Sequence, residues 1–232
     1  MITLYYSATP NGQKILLFLY ESALAHRIVP VSLSKGEQHK PEFLAISPNN
    51  KIPVIVDDAP ADGGAPLPVF ESAAILHYLA DKTGRFLPAD ARGRIEVLQW
   101  LCWQIAHLGP FAGQLGHFKA HATEKIPYAI ERYSRELARL FGVLDRRLSA
   151  HEFIVGDYSI ADMACYPWIV PYGSLGLELR DYPNLARWFN SIRARPATMR
   201  AYEGVSDPYG PEHAPLSTDE RKALFGSATP GR

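Results

Sequence analysis

The chain has 232 residues and a formal net charge of zero, from 24 basic and 24 acidic side chains. This balance gives no bulk attraction to nucleic acid or to an acidic membrane surface, and it offers little repulsion against self-association. The apolar run from Ile15 to Tyr20 is too short to span a bilayer, and it lacks the basic start and cleavage site of a signal peptide. We therefore expect a cytoplasmic protein with neither a nucleic-acid nor a membrane partner.

The first part of the chain alternates strand and helix patterns, and the strands are predicted at residues 2–6, 27–33, 52–56 and 67–70. A turn and helix-start cluster around Thr9 follows the first strand, and apolar residues then recur at helical spacing. A second apolar helix face begins at Ser72 and stops before Gly84. The order is β-α-β followed by β-β-α.

After a domain crossing at Phe86–Asp90, only helix patterns follow. Gly109-Pro110 interrupts the first of them, and we expect a kink or a break there. A leucine stripe follows Pro127, at the first turn of a long helix. Ser159 and Asp162 fit a capping box before an apolar run, so we expect a structural rather than a catalytic role for them.

These patterns divide the chain into residues 1–85, residues 86–205 and a loosely held tail, 206–232. In the tail, Ser217 and Glu220 fit the capping box of one short helix.

Neither the cysteines nor the histidines indicate a metal or redox site. Cys102 and Cys165 stand in apolar helical surroundings, so we expect buried, reduced thiols, and they form no C-x-x-C motif. His117 and His121 have an i, i+4 spacing, but no carboxylate or thiol nearby completes a metal site. His77 is expected to contribute packing.

The segment from Asn49 to Pro53 precedes the third strand. The simpler interpretation of Pro53 is an edge or turn proline. The alternative is a cis Ile52–Pro53 bond, a form found in only ~5% of X–Pro bonds. It would turn the Ile52 backbone outward, so that its N–H and C=O could pair with an extended peptide ligand as one more strand.

At the start of the second helix, Ser72 alone indicates an ordinary N-cap. However, a helix N-terminus with a hydroxyl also suits a carboxylate, and Glu71 beside it suits an ammonium group. Together the two residues match the zwitterionic end of an amino acid.

The turn from Ser7 to Lys14 is open to two interpretations as well: a capped helix start, or a site that stabilises a sulfur anion. Thr9 and Asn11 are neutral donors at a helix N-terminus, and such surroundings lower the pKa of a thiol from its usual ~8.5. No cysteine stands in this turn, so the thiol would have to come from a ligand.

Three segments together resemble the cytosolic glutathione transferases, and more narrowly their bacterial Nu class of disulfide-bond oxidoreductases: Tyr5 to Gly12, Ser47 to Pro53, and Phe70 to Ile75. Residues 126–133 and 156–162 match too. The resemblance implies the fold class α/β plus all-α, with a thioredoxin-like N-terminal domain and an all-helical glutathione-transferase C-terminal domain. It also implies a homodimer with the active site near the interface.

The resemblance further implies a glutathione site without metal, which takes one glutathione, two, or the oxidised form. Ile52 would bind the cysteinyl backbone, Glu71 and Ser72 the γ-glutamyl end, and Thr9 and Asn11 would face the sulfur. The other implied glutathione contacts are Gln38, Lys51, Pro53 and Arg132. Arg132 would hold a carboxylate as a bidentate donor, in its own active site or in the neighbour's.

Three functions stay open at this point. The first is glutathione-dependent reduction of small disulfides, with a thiolate held by Thr9 and Asn11. The second is conjugation of small electrophiles, for which Tyr5, Tyr6, Ser7 or Thr9 could supply the activating hydroxyl. The third is a regulatory binding module on the same scaffold. The pattern Thr9-Pro10-Asn11 favours the first.

Overall fold

A mixed four-stranded sheet with the order β2-β1-β3-β4 organises the N-terminal half. In this computed structural model, which describes residues 1–210 and 216–226, the strands are β1 (Ile2–Tyr6), β2 (His26–Pro30), β3 (Val54–Asp57) and β4 (Leu67–Phe70). β1 pairs in parallel with β2 and antiparallel with β3, and β3 pairs antiparallel with β4. The thioredoxin-like fold expected for this half is confirmed.

The limits of two strands differ from the predicted ones. β1 and β4 have the predicted bounds, whereas β2 ends at Pro30 and β3 begins only at Val54. Proline has no N–H to donate to a ladder, so Pro30 closes one strand and Pro53 precedes the other. After Pro30, one more ladder bond, from the Val31 N–H to the Tyr6 carbonyl at 2.7 Å, ends the pairing with β1.

Three α-helices accompany the sheet: α1 (Pro10–Ser22), α2 (Pro41–Leu44) and α3 (Ser72–Thr83). The side chain of Thr9 caps the N-terminus of α1, and the helix ends before Ala23, which adopts a left-handed conformation. Nine of the 13 residues of α1 are buried, including polar Gln13 and Lys14. It lies between the sheet half and the helical half, and from this position it can carry contacts to both.

The C-terminal half is helical, as expected. Its helices are α4 (Ala91–Trp103), α5 (Gly109–Gly116), α6 (Pro127–Leu148), α7 (Ile160–Ile169), α8 (Pro183–Arg193), α9 (Pro196–Ala201) and α10 (Thr218–Phe225). The expected break at Gly109-Pro110 is wrong, because the chain stays helical from α4 through a π-helical turn, Gln104–Leu108, into α5, whereas the kink stays a prediction. The wider turn accommodates the proline without ending the helix.

Buried side chains from both halves form one continuous core. Ile15 and Leu17 of α1 belong to the same cluster as Ile160 and Ala164 of α7. The predicted limits 1–85 and 86–205 stay predictions. In the tail, the Ser217–Glu220 capping box of α10 is confirmed, while residues 211–215 and 227–232 lie outside the described residues. The loose attachment of the tail also stays a prediction.

Two expectations about single side chains are wrong. Cys165 is buried as expected, but Cys102 is exposed, because it lies on a face of α4 that the rest of the described chain leaves uncovered. His77 does not contribute packing: its Nδ1 lies 3.2 Å from an Asp81 carboxylate oxygen on the surface of α3.

Two features are absent from the described ranges. No helix there is long and apolar enough to cross a membrane. In the same ranges, no three His, Cys, Asp or Glu side chains are grouped as metal ligands.

The capping box of α7 is structural, as predicted. The Asp162 carboxylate is fully buried and accepts hydrogen bonds from the backbone N–H and hydroxyl of Ser159, from the Ile154 N–H at 2.9 Å and from the Trp188 indole at 2.8 Å. Asp162 therefore ties α7 to the preceding loop and to α8.

We predict that Asp162→Ala lowers the free energy of unfolding by about 3 kcal/mol or more, since it leaves several buried donors without an acceptor. Urea denaturation measures this. The matched control is Ser217→Ala in the exposed capping box of α10, which should cost no more than ~1 kcal/mol. Equal losses in the two variants would contradict the structural role of Asp162.

Candidate functional site

A cavity of about 310 Å³ opens where the N-terminus of α1, the start of β3 and the β4–α3 junction meet. Six of the sequence-predicted site residues line it: Asn11, Lys51, Ile52, Pro53, Glu71 and Ser72. Ser47, Asn49 and Phe70 complete the lining. Residues far apart in the sequence thus converge on one space.

The cis Ile52–Pro53 bond predicted as one alternative is present. Ile52 precedes β3 and is not part of any strand. Among the described residues, its backbone N–H and C=O have no hydrogen-bond partner. Both groups are available to an extended ligand lying along this edge.

The N-terminus of α3 presents free backbone donors to the cavity. Glu71 precedes the helix and makes no capping bond, and Ser72 is the first helical residue, so the N-cap interpretation of Ser72 is wrong. The first helical bond runs from the Ile75 N–H to the Glu71 carbonyl. The N–H groups of Ser72, Ala73 and Ala74 therefore remain for an anionic ligand group.

Glu71 itself has a strained backbone. Its φ of 68° and ψ of 116° lie in a region that non-glycine residues rarely adopt. Strain of this kind persists only where the surrounding structure imposes it, and it is concentrated at binding sites. The conformation leaves the Glu71 side chain exposed beside the free N–H groups of α3.

Thr9 and Asn11 stand at the N-terminus of α1. The Thr9 hydroxyl oxygen accepts the Gly12 N–H at 3.2 Å, so its own hydrogen remains free to donate. Gly12 makes this tight turn possible, because a Cβ there would lie 2.3 Å from the Ser7 carbonyl oxygen. Thr9 does not line the 310 Å³ cavity: with Ala8 and Pro10 it lines a separate space of about 60 Å³, so its predicted contact with a ligand sulfur stays a prediction.

Trp168, from α7, determines the orientation of the Asn11 amide. The indole Nε1–H donates to Asn11 Oδ1 at 3.1 Å. An indole nitrogen can only donate, so Oδ1 must face it and the Nδ2 hydrogens point away, toward the cavity side. A side chain of the helical half thereby directs two donor hydrogens of the thioredoxin-like half.

The tyrosines of β1 are engaged elsewhere. Tyr5 packs edge-on against Phe43, with ring centroids 6.2 Å apart. Burial, with a smaller contribution from Tyr20, raises the pKa of Tyr6 to about 12. Neither tyrosine lines the 310 Å³ cavity, which weakens the conjugation alternative in its tyrosine-dependent form.

Besides Thr9, two of the sequence-predicted site residues lie outside the cavity lining. Gln38 is buried, and its Nε2 donates to the Ala223 carbonyl of α10 at 2.9 Å. Arg132 is half exposed on α6, with Nη1 3.7 Å from a Glu136 carboxylate oxygen. Their predicted roles stay predictions.

Three residues of the site were missed from the sequence: Lys14, Gln104 and Trp168. A second cavity, of about 230 Å³, shares Asn11, Glu71 and Ser72 with the first and adds these three to its lining. One signal was available, since Lys14 stands in the middle of an apolar helix and three residues after Asn11. For Gln104 and Trp168 the local sequence holds no comparable signal.

Fold and cavity together define a class of protein: a thioredoxin-like domain that offers a peptide ligand a free backbone edge and a helix N-terminus, joined to a helical domain. Models of the glutathione S-transferase N-terminal and C-terminal domains match residues 8–82 and 111–196. The chain therefore belongs to the glutathione S-transferase family, as the sequence resemblance implied.

Among its relatives, the disulfide-bond oxidoreductase YfcG of Escherichia coli K12 is 54% identical over 202 residues, which are 87% of this chain and 94% of that protein. The disulfide-bond oxidoreductase YghU of the same organism is 39% identical over 215 residues, covering 86% and 73%.

The structure of this chain is also similar to solved structures of glutathione transferases. A glutathione transferase of Burkholderia graminis, with two glutathione molecules bound per subunit, has a TM-score of 0.83 and 43% identity over 87% of each chain. One from Pseudomonas putida, with one glutathione disulfide bound per subunit, has a TM-score of 0.81 and 38% identity over 86% of this chain and 90% of that one.

The strain at Glu71 predicts an unusual order of stability. Glu71→Gly and Glu71→Ala both remove the carboxylate, but only glycine adopts a positive φ without steric cost. We expect the glycine variant to be more stable than the alanine variant by ~1 kcal/mol in urea unfolding. An alanine variant of equal or greater stability would show that the Glu71 backbone is not strained.

Proposed function

We propose that this protein is a glutathione-dependent disulfide-bond reductase whose reactive thiol belongs to glutathione. One observation carries the proposal: the oriented Asn11 amide adjoins a cavity shaped for a peptide ligand, and no cysteine of the described chain lines that cavity. Cys165 is buried and Cys102 lies on the outer face of α4.

The cavity suits glutathione part by part. The Ile52 backbone pairs with the cysteinyl residue, the free N–H groups of α3 and the Ser72 hydroxyl bind the γ-glutamyl carboxylate, and Glu71 binds its ammonium group. Lys51 and Pro53 line the same edge, where Lys51 contributes a positive charge. In this proposal the ligand's sulfur lies near Asn11, which lines the cavity, and Thr9, two residues earlier in the chain, is the second donor to it.

The chemistry then proceeds by two exchanges. The thiolate of bound glutathione attacks one sulfur of a disulfide, which gives a mixed disulfide with glutathione and releases the other sulfur as a thiolate. A second glutathione thiolate attacks the glutathione sulfur of the mixed disulfide, so that oxidised glutathione forms and the second substrate thiolate leaves. Hydrogen bonds from Thr9 and Asn11 stabilise the attacking thiolate. The homologous structure with two bound glutathione molecules fits the reduced state before the reaction, and the one with bound glutathione disulfide fits the oxidised product.

A homodimer is part of the proposal. Ile95, Leu98 and Ile105, on α4 and the following turn, are 52%, 43% and 44% exposed, and the apolar face they form continues onto α3. A second copy of the chain on this face would bury it and cover Cys102. The reaction requires reduced glutathione, so we place the protein in the cytoplasm, where thiols are kept reduced. Its substrates are small-molecule disulfides.

One assay tests the proposed function. The purified protein is given glutathione with a small dialkyl disulfide in one cuvette and with an aryl halide in the other. We expect reduction of the disulfide and little conjugation. Reaction with the aryl halide alone would overturn the proposal in favour of an electrophile-conjugating transferase.

The source of the thiol is tested by replacing both cysteines. We expect the Cys102→Ala/Cys165→Ala double variant to retain disulfide reduction within about twofold, because the reacting sulfur belongs to the ligand. Loss of turnover, with folding verified by circular dichroism, would show that a protein thiol takes part.

The thiolate contacts predict a graded series of variants. Asn11→Ala removes the amide donor and should lower kcat/KM about tenfold or more. Thr9→Ser keeps a hydroxyl donor at its position and should lower kcat/KM only slightly. Trp168→Phe keeps the packing but removes the hydrogen bond that orients Asn11, and it should lower kcat/KM about three- to tenfold. If Trp168→Phe reduces Asn11→Ala activity by the same factor as wild-type activity, Trp168 does not act through Asn11.

A further inference from the structure

The proposed mechanism leaves one buried charged group unexplained, Lys14 on α1. Its side chain is only 1% exposed. Its Nζ donates to Gln104 Oε1 at 2.5 Å and to Ser72 Oγ at 3.1 Å. Among the described residues it has no ion-pair partner within 4 Å, so two neutral oxygens hold it. Burying an ammonium group without a countercharge is costly, and such a group is retained where it has a use.

A second, independent observation points to a ligand at the same place. Gln104 is 0% exposed, and its Nε2 has no hydrogen-bond partner. A Cβ on Gly109 would lie 2.9 Å from that nitrogen, so the glycine keeps the space beside it open. Gln104 and Lys14 line the second cavity together with Glu71 and Ser72. An orphaned buried donor and an ammonium group at one cavity indicate an anionic ligand group.

Lys14 can lose its proton in the absence of a ligand. Burial lowers the pKa of Lys14 to about 7, and the opposing influences come from Cys165 on α7 and from Glu71. Cys165 stays neutral near this pH, because burial raises the pKa of its thiol far above its usual range. Ser72 and Gln104 do not titrate, and Glu71 is the carboxyl group that acts on the pKa of Lys14.

The protonation state of Lys14 determines which way the Ser72 hydroxyl points. A charged Lys14 is only a donor, so Ser72 Oγ accepts from it and the hydroxyl hydrogen is free for a ligand carboxylate. A neutral amine has a lone pair, can accept that hydrogen, and then turns it away from the ligand.

We propose that Lys14 is a positioning residue that takes up a proton when the γ-glutamyl carboxylate of glutathione binds at α3, and that its ammonium group, held by Gln104, directs the Ser72 hydroxyl to that carboxylate. The inference rests on the proposed glutathione site and adds to it a proton-coupled affinity. Binding is tight where Lys14 is already charged, and it weakens as the pH rises through neutrality, because the proton must then be taken from solution.

The test uses S-methylglutathione, which has no thiol and therefore cannot release a thiol proton on binding. Isothermal titration calorimetry at pH 7.5, in buffers of different ionisation enthalpy, reports the number of protons exchanged. A group with a pKa of about 7 is neutral in about three quarters of the molecules at this pH, so we expect uptake of about 0.5 to 0.75 proton per site in the wild type.

Lys14→Met is the main variant, since it retains the buried volume without the charge. It should bind S-methylglutathione about tenfold more weakly at pH 6, and this loss should shrink at pH 8.5, where wild-type Lys14 is also largely neutral. It should show no proton uptake beyond that of the ligand's own amino group. A purely structural role would give the same loss at both pH values.

Cys165→Ala is the matched control. It removes the neighbouring titratable group on α7 and should retain the wild-type proton uptake. If proton uptake were lost in Cys165→Ala but kept in Lys14→Met, Cys165 and not Lys14 would be the group that takes up the proton. That result would overturn the inference.

The wild-type measurement decides the matter even if Lys14→Met does not fold. Binding of S-methylglutathione without proton uptake, or with an affinity that is the same at pH 6 and pH 8.5, overturns the role of Lys14 alone. No binding of S-methylglutathione to the wild type at any pH, by calorimetry and by equilibrium dialysis, overturns the proposed glutathione site itself.

Discussion

The burial of α1 between the sheet and α7 is the constraint on which the rest of this molecule depends. Both halves of the chain contribute to one core around this helix. Across the same contact, Trp168 binds Asn11 and Gln104 binds Lys14, so two side chains of the helical half position two side chains of α1. The helical half therefore does more than support the thioredoxin-like domain, because it orients the donors of the site.

Backbone groups dominate the candidate site, and this has a physical consequence. The free N–H and C=O of Ile52 and the uncapped N-terminus of α3 are positioned by the fold and lose no side-chain entropy on binding. A site built this way suits the extended backbone and the charged end of a peptide. The chemistry can then be left to the peptide's own sulfur.

The site also concentrates features that cost stability. Glu71 has a positive φ, Gln104 has an orphaned buried nitrogen, and Lys14 is a buried amine. The surrounding structure tolerates them because α1, α3 and α7 are otherwise closely packed and because Asp162 anchors the start of α7 with satisfied hydrogen bonds. Unsatisfied polar groups next to a ligand cavity are available for binding, whereas the polar groups of the α7 capping box already have hydrogen-bond partners within the fold.

The sequence by itself determined what depends on near neighbours along the chain. Most of the strands and long helices and both capping boxes followed from short patterns, because turns, caps and amphipathic faces are local. Thr9, Asn11, Ile52 and Glu71 were found as single candidates from local patterns and from the family resemblance. Only the tertiary structure decided the burial of Lys14, the exposure of Cys102, the bond between Gln38 and α10, and the position of Ser72 inside α3 instead of at its cap. Each of these depends on which distant segment packs against the residue, and no local pattern contains that information.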